Sequence, residues 1–263
     1  MAVMNITFGS LCLYRFADFT AIVPIESVGI SGVKKEKTDK FRTLYLLHGL
    51  GGNHRDWLQA SRIREIAEKY NLAVILPSGD NSFYVDGSTI GSKYGSFVGK
   101  ELVEFTRELL PLSDKKEDTY VGGLSMGGFG AVHTALMYPE TFSKVFAFSS
   151  AFVLDRIPQL KPGETDGILD FESYTKIFGN LEELENSPHN PKELIRQIRA
   201  NGKMIPEMFL ACGTEDFLLK ENREFKRYLD SQKIPVRYTE DQGNHNFDFW
   251  NRYLEQAVQW LVE

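Results

Sequence analysis

Gly122-Gly123-Leu124-Ser125-Met126-Gly127-Gly128 is the stretch on which the reading of the other residues depends. It is a G-x-S-x-G pattern set among further glycines. The β-prone Thr119-Tyr120-Val121 precedes it, and Phe129, Val132 and Leu136 follow as an apolar stripe at helical spacing that Pro139 stops. Such a pattern predicts a nucleophile elbow, where a strand turns sharply at one serine into a helix and lifts the hydroxyl clear of the sheet. A side chain two residues before or after that serine would hold strand and helix apart, which accounts for Gly123 and Gly127. The turn also leaves amides free at the start of the helix. There the Met126 N–H can face an oxygen that turns negative during acyl transfer.

Outward from the elbow, strand and helix patterns alternate. Upstream lie the continuous apolar run Thr43-Leu44-Tyr45-Leu46-Leu47, a helical stripe of Ile63, Ile66, Ala67 and Tyr70, and a second run Ala73-Val74-Ile75-Leu76. A helix marked by Val98, Leu102, Phe105 and Leu109 and stopped by Pro111 comes next. Downstream, the runs Val145-Phe146-Ala147-Phe148 and Met208-Phe209-Leu210-Ala211-Cys212 read as strands, as does Val236-Arg237-Tyr238. A helix around Phe225, Tyr228 and Leu229 and a closing one marked by Trp250, Leu254, Ala257 and Leu261 complete the series. This rhythm predicts an α/β fold with a mostly parallel central sheet and helices on both faces. No repeat or linker splits residues 1 to 263, so a single domain is expected. Residues 3 to 8 and 11 to 16 read as a hairpin around Gly9-Ser10, residues 19 to 23 as a further strand, and residues 26 to 40 as an exposed polar loop. Between 151 and 206 the rhythm breaks at Pro158, Pro162, Pro188 and Pro191, which suggests a cap-like insertion over the carboxyl edge of the sheet.

In such sheets chemistry gathers in loops at the carboxyl ends of strands. Ser125, Asp216 and His245 all fall there, in the order nucleophile, acid, base found in α/β hydrolases. A serine hydroxyl is too weak an acid to attack unaided near neutral pH. His245 would take its proton, with Asp216 steadying the imidazolium. His48 remains an alternative base, although it more naturally anchors its own loop, and Glu215 and Asp241 are alternative acids. The loop His48-Gly49-Leu50-Gly51-Gly52 would supply the second oxyanion donor through the Leu50 N–H, with Gly51 keeping the backbone open to substrate. Trp57, Phe83, Tyr84 and Phe152 are candidates to line the pocket.

Composition bounds the class. With 42% hydrophobic and 25% charged residues the chain is an ordinary globular one, and a net charge of −6 argues against nucleic acid or an anionic membrane as partner. No secretory signal or membrane span is visible, and Cys12 and Cys212 each fall in an expected strand, as buried reduced thiols would. A cytoplasmic location is the resulting expectation. No H-E-x-x-H is present, and the loop from Asp80 to Asp86 lacks the glycine of an EF-hand, so no metal site is expected.

Together, His48-Gly49-Leu50-Gly51-Gly52 with Trp57, Pro77-Ser78-Gly79-Asp80, the elbow, Gly213-Thr214-Glu215-Asp216 and Gly243-Asn244-His245 resemble the esterase D branch of the α/β hydrolases. The likeness runs from about residue 41 to the last residue and is greatest to the tributyrin and acetyl esterase type. It implies an α/β-hydrolase fold and a serine carboxylesterase acting on short acyl or aryl esters, acetyl, butyryl or hydroxycinnamoyl. It also implies no cofactor, a small-molecule or glycan-linked ester as substrate, and a homodimer or homotetramer. The formylglutathione hydrolases of this branch carry a cysteine where this chain has Gly52, and a tryptophan before the helix that begins near Phe97. Both departures count against a glutathione thioester as substrate; a thioesterase of that type, or an acyltransferase using the same serine, is the alternative.

Overall fold

Strands whose side chains are apolar on both faces can be buried only between two layers of helix, and that requirement builds the core. In the computed structural model, which describes residues 1–25 and 40–263, eight strands form one sheet. In chain order these are β1 (Ala2–Ser10), β2 (Arg15–Val23), β3 (Arg42–Leu47), β4 (Leu72–Pro77), β5 (Thr119–Leu124), β6 (Lys144–Phe148), β7 (Glu207–Gly213) and β8 (Val236–Asp241). Their spatial order is β1-β2-β4-β3-β5-β6-β7-β8. From β4 to β8 every pairing is parallel; β2 alone runs against its neighbours. Most of the loop expected over residues 26 to 40 lies outside the described residues.

The alternation along β3 shows how the layers divide. Leu44 and Leu46 join one buried cluster, with Ile63 and Ile66 of α2 (Ile63–Lys69), which follows the short α1 (Asp56–Ala60). Tyr45 and Leu47 join the other. To that second face belong α3 (Tyr94–Ser96), continued by a π-helical turn into α4 (Leu102–Leu109), then α5 (Met126–Met137), α6 (Phe171–Phe178), α7 (Pro191–Ala200) and α8 (Leu219–Ser231). The last helix, α9 (Phe247–Val262), returns to the first face through Phe249, Trp250, Leu254 and Leu261. Residues 151 to 206 contribute Val153, Ile157, Tyr174, Phe178, Leu194 and Ile195 to the core on the side of α5, while Ala151 and Ile168 reach the site described below.

The amino-terminal hairpin differs from expectation. A single turn over residues 11 to 14 replaces the one expected at Gly9-Ser10, and residues 19 to 23 are the end of β2. The turn is set by tertiary bonding: the Glu101 carboxylate accepts from the Leu11 N–H at 2.6 Å, the Cys12 N–H at 3.2 Å and the Ser10 hydroxyl. Cys12 therefore lies in a turn and not in a strand, half-buried, its thiol pushed up to about 11 by burial and by Glu101. Cys212 is buried in β7.

One buried group makes the fold acid-sensitive. His133 on α5 is 1% exposed, and its Nε2–H donates to the Pro188 carbonyl at 3.0 Å. Burial, aided by the nearby His189, pushes its imidazole down from 6.5 to about 4. Between those values the unfolded chain binds a proton that the folded chain refuses, so stability is lost as pH falls through this window. The full effect is roughly 3 kcal/mol for this residue. His133→Gln keeps a donor toward Pro188 but cannot titrate. The drop in melting stability between pH 7 and pH 4 should shrink by about that amount, and an unchanged drop would exclude His133 as its source. His48, His54 and His189 are also held below the ordinary imidazole range, mainly by burial, and add to the drop.

Candidate active site

The order of strands reverses at β3, which leads to β4 on one side and β5 on the other, and the loops leaving β3 and β5 flank the resulting crevice. Leu47 pairs with Gly123, so the two loops start at the same level. Ser125 stands between β5 and α5 at φ 54°, ψ −120°, a conformation that serine adopts only under constraint. A Cβ on Gly123 would strike the Gly127 carbonyl, and one on Gly127 the His48 carbonyl. These two glycines therefore permit the close approach that the constraint requires.

The other two side chains arrive on the loops after β7 and β8. The loops are tied together by Thr214 N–H to Asp241 O at 2.9 Å and Glu215 N–H to Gly243 O at 3.0 Å. His245 Nε2 lies 3.0 Å from Ser125 Oγ, and its Nδ1 lies 2.9 Å and 3.1 Å from the two Asp216 oxygens. Asp216 also accepts from the Leu218 N–H at 2.9 Å. Burial alone would raise the Asp216 carboxyl. The hydrogen bond and charge of His245, the Ser149 hydroxyl and the Leu218 N–H outweigh it and hold the group below the usual carboxylate range. The histidine ring packs between Phe217 at 4.5 Å and Trp250 at 5.1 Å. Of the alternative acids, Glu215 is exposed and Asp241 is engaged by Arg252 and Tyr253.

The alternative base is committed elsewhere. His48 Nδ1–H donates to the Gly49 carbonyl at 2.7 Å, while its Nε2 accepts from the Gly79 N–H at 2.8 Å. Accepting at Nε2 requires the neutral ring, in keeping with the lowering of its pKa by burial. His48 thus pins the loop after β3 to the loop after β4.

Ser125 and His245 open onto a cleft of about 280 Å³, which Leu50, Met126 and Trp57 also line. Leu50 and Met126 follow β3 and β5, and their backbone N–H groups donate to no acceptor among the described residues. Trp57 forms a wall, fixed by its indole N–H donating to the Leu47 carbonyl at 2.9 Å. Three expected contacts fall elsewhere. Tyr84 is fully buried behind the loop, its hydroxyl donating to the His48 carbonyl at 3.1 Å. Phe152 stacks on Phe225 at 4.1 Å and lines a separate small cavity. Gly51 lies beyond the cleft, its N–H taken by Asn81 Oδ1 at 2.7 Å. Phe83, Ile168, Phe217, Phe247 and Trp250 complete the apolar wall instead. Phe83 alone of these was a sequence candidate. Phe217 adjoins Asp216 and Phe247 stands two residues after His245, so both were reachable from those candidates; nothing local marked Ile168.

Residues 33–261 match the family model described as "Putative esterase". The chain belongs to the esterase family. This esterase is 39% identical to an acetyl esterase of Caldicellulosiruptor saccharolyticus over 261 residues, covering 99% of this chain and 98% of that protein. Its fold is similar to that of the fluorophosphonate-binding serine hydrolase F of Staphylococcus aureus, with substrate bound, at TM-score 0.86 and 28% identity, covering 100% of this chain and 98% of the other. An S-formylglutathione hydrolase of the same organism aligns at TM-score 0.84 and 26% identity, covering 100% and 99%. The esterase is accordingly an α/β-hydrolase-fold serine hydrolase of carboxylic esters. Among its described residues no helix is long and apolar enough to cross a membrane, and no group of three or more His, Cys, Asp or Glu side chains could hold a metal ion.

Proposed function

We propose that this esterase hydrolyses short-chain acyl esters, acetyl esters foremost, through an acyl-enzyme on Ser125. The observation that carries the reading is the unbroken chain Ser125 Oγ, His245 Nε2, His245 Nδ1, Asp216, with links of 3.0 Å and 2.9 Å at the edge of the apolar cleft. As Ser125 Oγ attacks the ester carbonyl, His245 takes its proton, and Asp216 stabilises the imidazolium that results. The Met126 and Leu50 N–H groups receive the developing oxyanion. Return of the proton from His245 to the alcohol oxygen expels the alcohol. Water, deprotonated by His245 in turn, attacks the acyl carbon; return of that proton to Ser125 Oγ breaks the bond to serine and releases the acid.

The small cleft volume, about 280 Å³, supports a short acyl group. A second observation bears on the thioester alternative. A Cβ at position 52 would meet the far end of the Asp56 side chain, so the cysteine of the formylglutathione enzymes could stand here only with that carboxylate swung aside. We also take the chain as one domain acting in the cytoplasm, a reading supported by the single continuous sheet and by two thiols with no disulfide between them.

The test is direct. A fluorophosphonate should label the protein once per chain, on the peptide that holds Ser125. With p-nitrophenyl esters kcat/KM should be highest for acetate and butyrate and fall at least tenfold by laurate. Absence of labelling, or a preference for laurate, would overturn the proposal.

A further inference from the structure

Ile168 reaches the cleft from a tight turn inside the 151 to 206 segment, closed by the Thr165–Asp170 bridge and by Asp166 N–H to Leu169 O at 3.3 Å. A turn on an exposed excursion would be a poor wall unless something fixed it. Asp166 does so from within. Its Oδ1 accepts from the Ile168 N–H at 2.9 Å and the Leu169 N–H at 3.1 Å, while its Oδ2 accepts from the Tyr174 hydroxyl at 2.9 Å. The same Oδ2 takes two bonds from Arg156, Nη2 at 2.8 Å and Nε at 3.1 Å. The other guanidinium nitrogen, Nη1, donates to Glu221 Oε1 at 2.5 Å, and Glu221 lies in the first turn of α8, the helix that follows Asp216. The side chains of Asp166 and Glu221 are only 6% and 9% exposed, so this is no solvent-screened surface pair.

We infer that Arg156, Asp166 and Glu221 form a clamp that holds Ile168 at a fixed distance from Ser125, and that Ile168 so held limits the length of the ester accepted. The inference rests on the esterase reading above. In it Ile168 determines specificity, and Asp166 and Arg156 are positioning residues that act through it. Because α8 also follows the acid of the triad, the clamp sets the wall and the catalytic groups in one frame. Arg156→Met would leave Glu221 buried without its counter-charge and endanger the fold, so the test is placed on the other members.

The experiment compares kcat/KM for p-nitrophenyl acetate, butyrate and hexanoate, with active sites counted by fluorophosphonate titration. Ile168→Ala should raise the hexanoate-to-acetate ratio about tenfold, the scale of a methylene or two in an apolar pocket. Asp166→Asn should shift the ratio in the same direction by about threefold, through KM, with kcat for acetate within twofold of the parent enzyme. The double variant should show no larger shift than Ile168→Ala alone, because the clamp has nothing left to position. Ratios unchanged in both single variants, or a uniform loss of kcat on every ester, would overturn the clamp. Failure of the parent enzyme to label or to turn over any ester would instead overturn the reading beneath it.

Discussion

Ser125→Ala is expected to lower kcat for p-nitrophenyl acetate by about 10⁵ to 10⁶, the scale seen when a triad nucleophile is removed. The argument is geometric. Among the described residues the only hydroxyl within hydrogen-bond reach of His245 Nε2 is Ser125 Oγ, at 3.0 Å, so its removal leaves the imidazole with nothing to activate but water. The oxyanion donors remain, and they sustain a residual rate above the uncatalysed reaction. Alanine tolerates φ 54° no better than serine does, so the melting temperature should hardly move. Kinetics on titrated protein with a thermal melt beside it will separate lost chemistry from a lost fold. A variant keeping a tenth of the parent rate would mean that acyl transfer does not pass through this oxygen.

Asp216→Asn should cost about 10⁴ in kcat, for a different reason. The side chain keeps its shape and can still accept from the Leu218 N–H, which lies 2.9 Å from the carboxylate. Its amide NH₂ then faces His245 Nδ1, which must become an acceptor, and the ring proton moves to Nε2. There it points at Ser125 Oγ, so the imidazole can no longer receive the serine proton. The remaining activity should climb with hydroxide concentration well above neutral pH, where direct deprotonation replaces the base. A pH–rate profile parallel to the parent, or a loss below tenfold, would show that Asp216 does not orient the ring. Acid titration of Asp216 itself should not shape the parent profile near neutrality, since its partners hold it below the usual carboxylate range.

Much of this was legible in the residues because it depends on local rules. The elbow announces itself through Gly123 and Gly127, whose absent side chains are a steric necessity of the turn. The central parallel strands β3, β4 and β5 carry apolar runs because both of their faces are covered. Asp216 and His245 fall in loops that follow strands. What escaped was decided by distant contacts. Glu101 moves the hairpin turn by bonding two amides some 90 residues away. Tyr84 and Phe152 carry the aromatic rings a pocket needs, yet one supports the His48 carbonyl and the other stacks on Phe225. Ile168 reaches the cleft from a turn that Asp166 braces and that Arg156 joins to Glu221, contacts that no periodicity foretells.

The backbone at Ser125 carries a consequence for anyone seeking a hardier form of this enzyme. Its φ of 54° suits glycine, the one residue free of the penalty, which is of order 1–3 kcal/mol. A screen that ranks variants by heat resistance alone would therefore reward the substitution that ends turnover. Durability and activity pull against each other at this single position, and selection must score both at once.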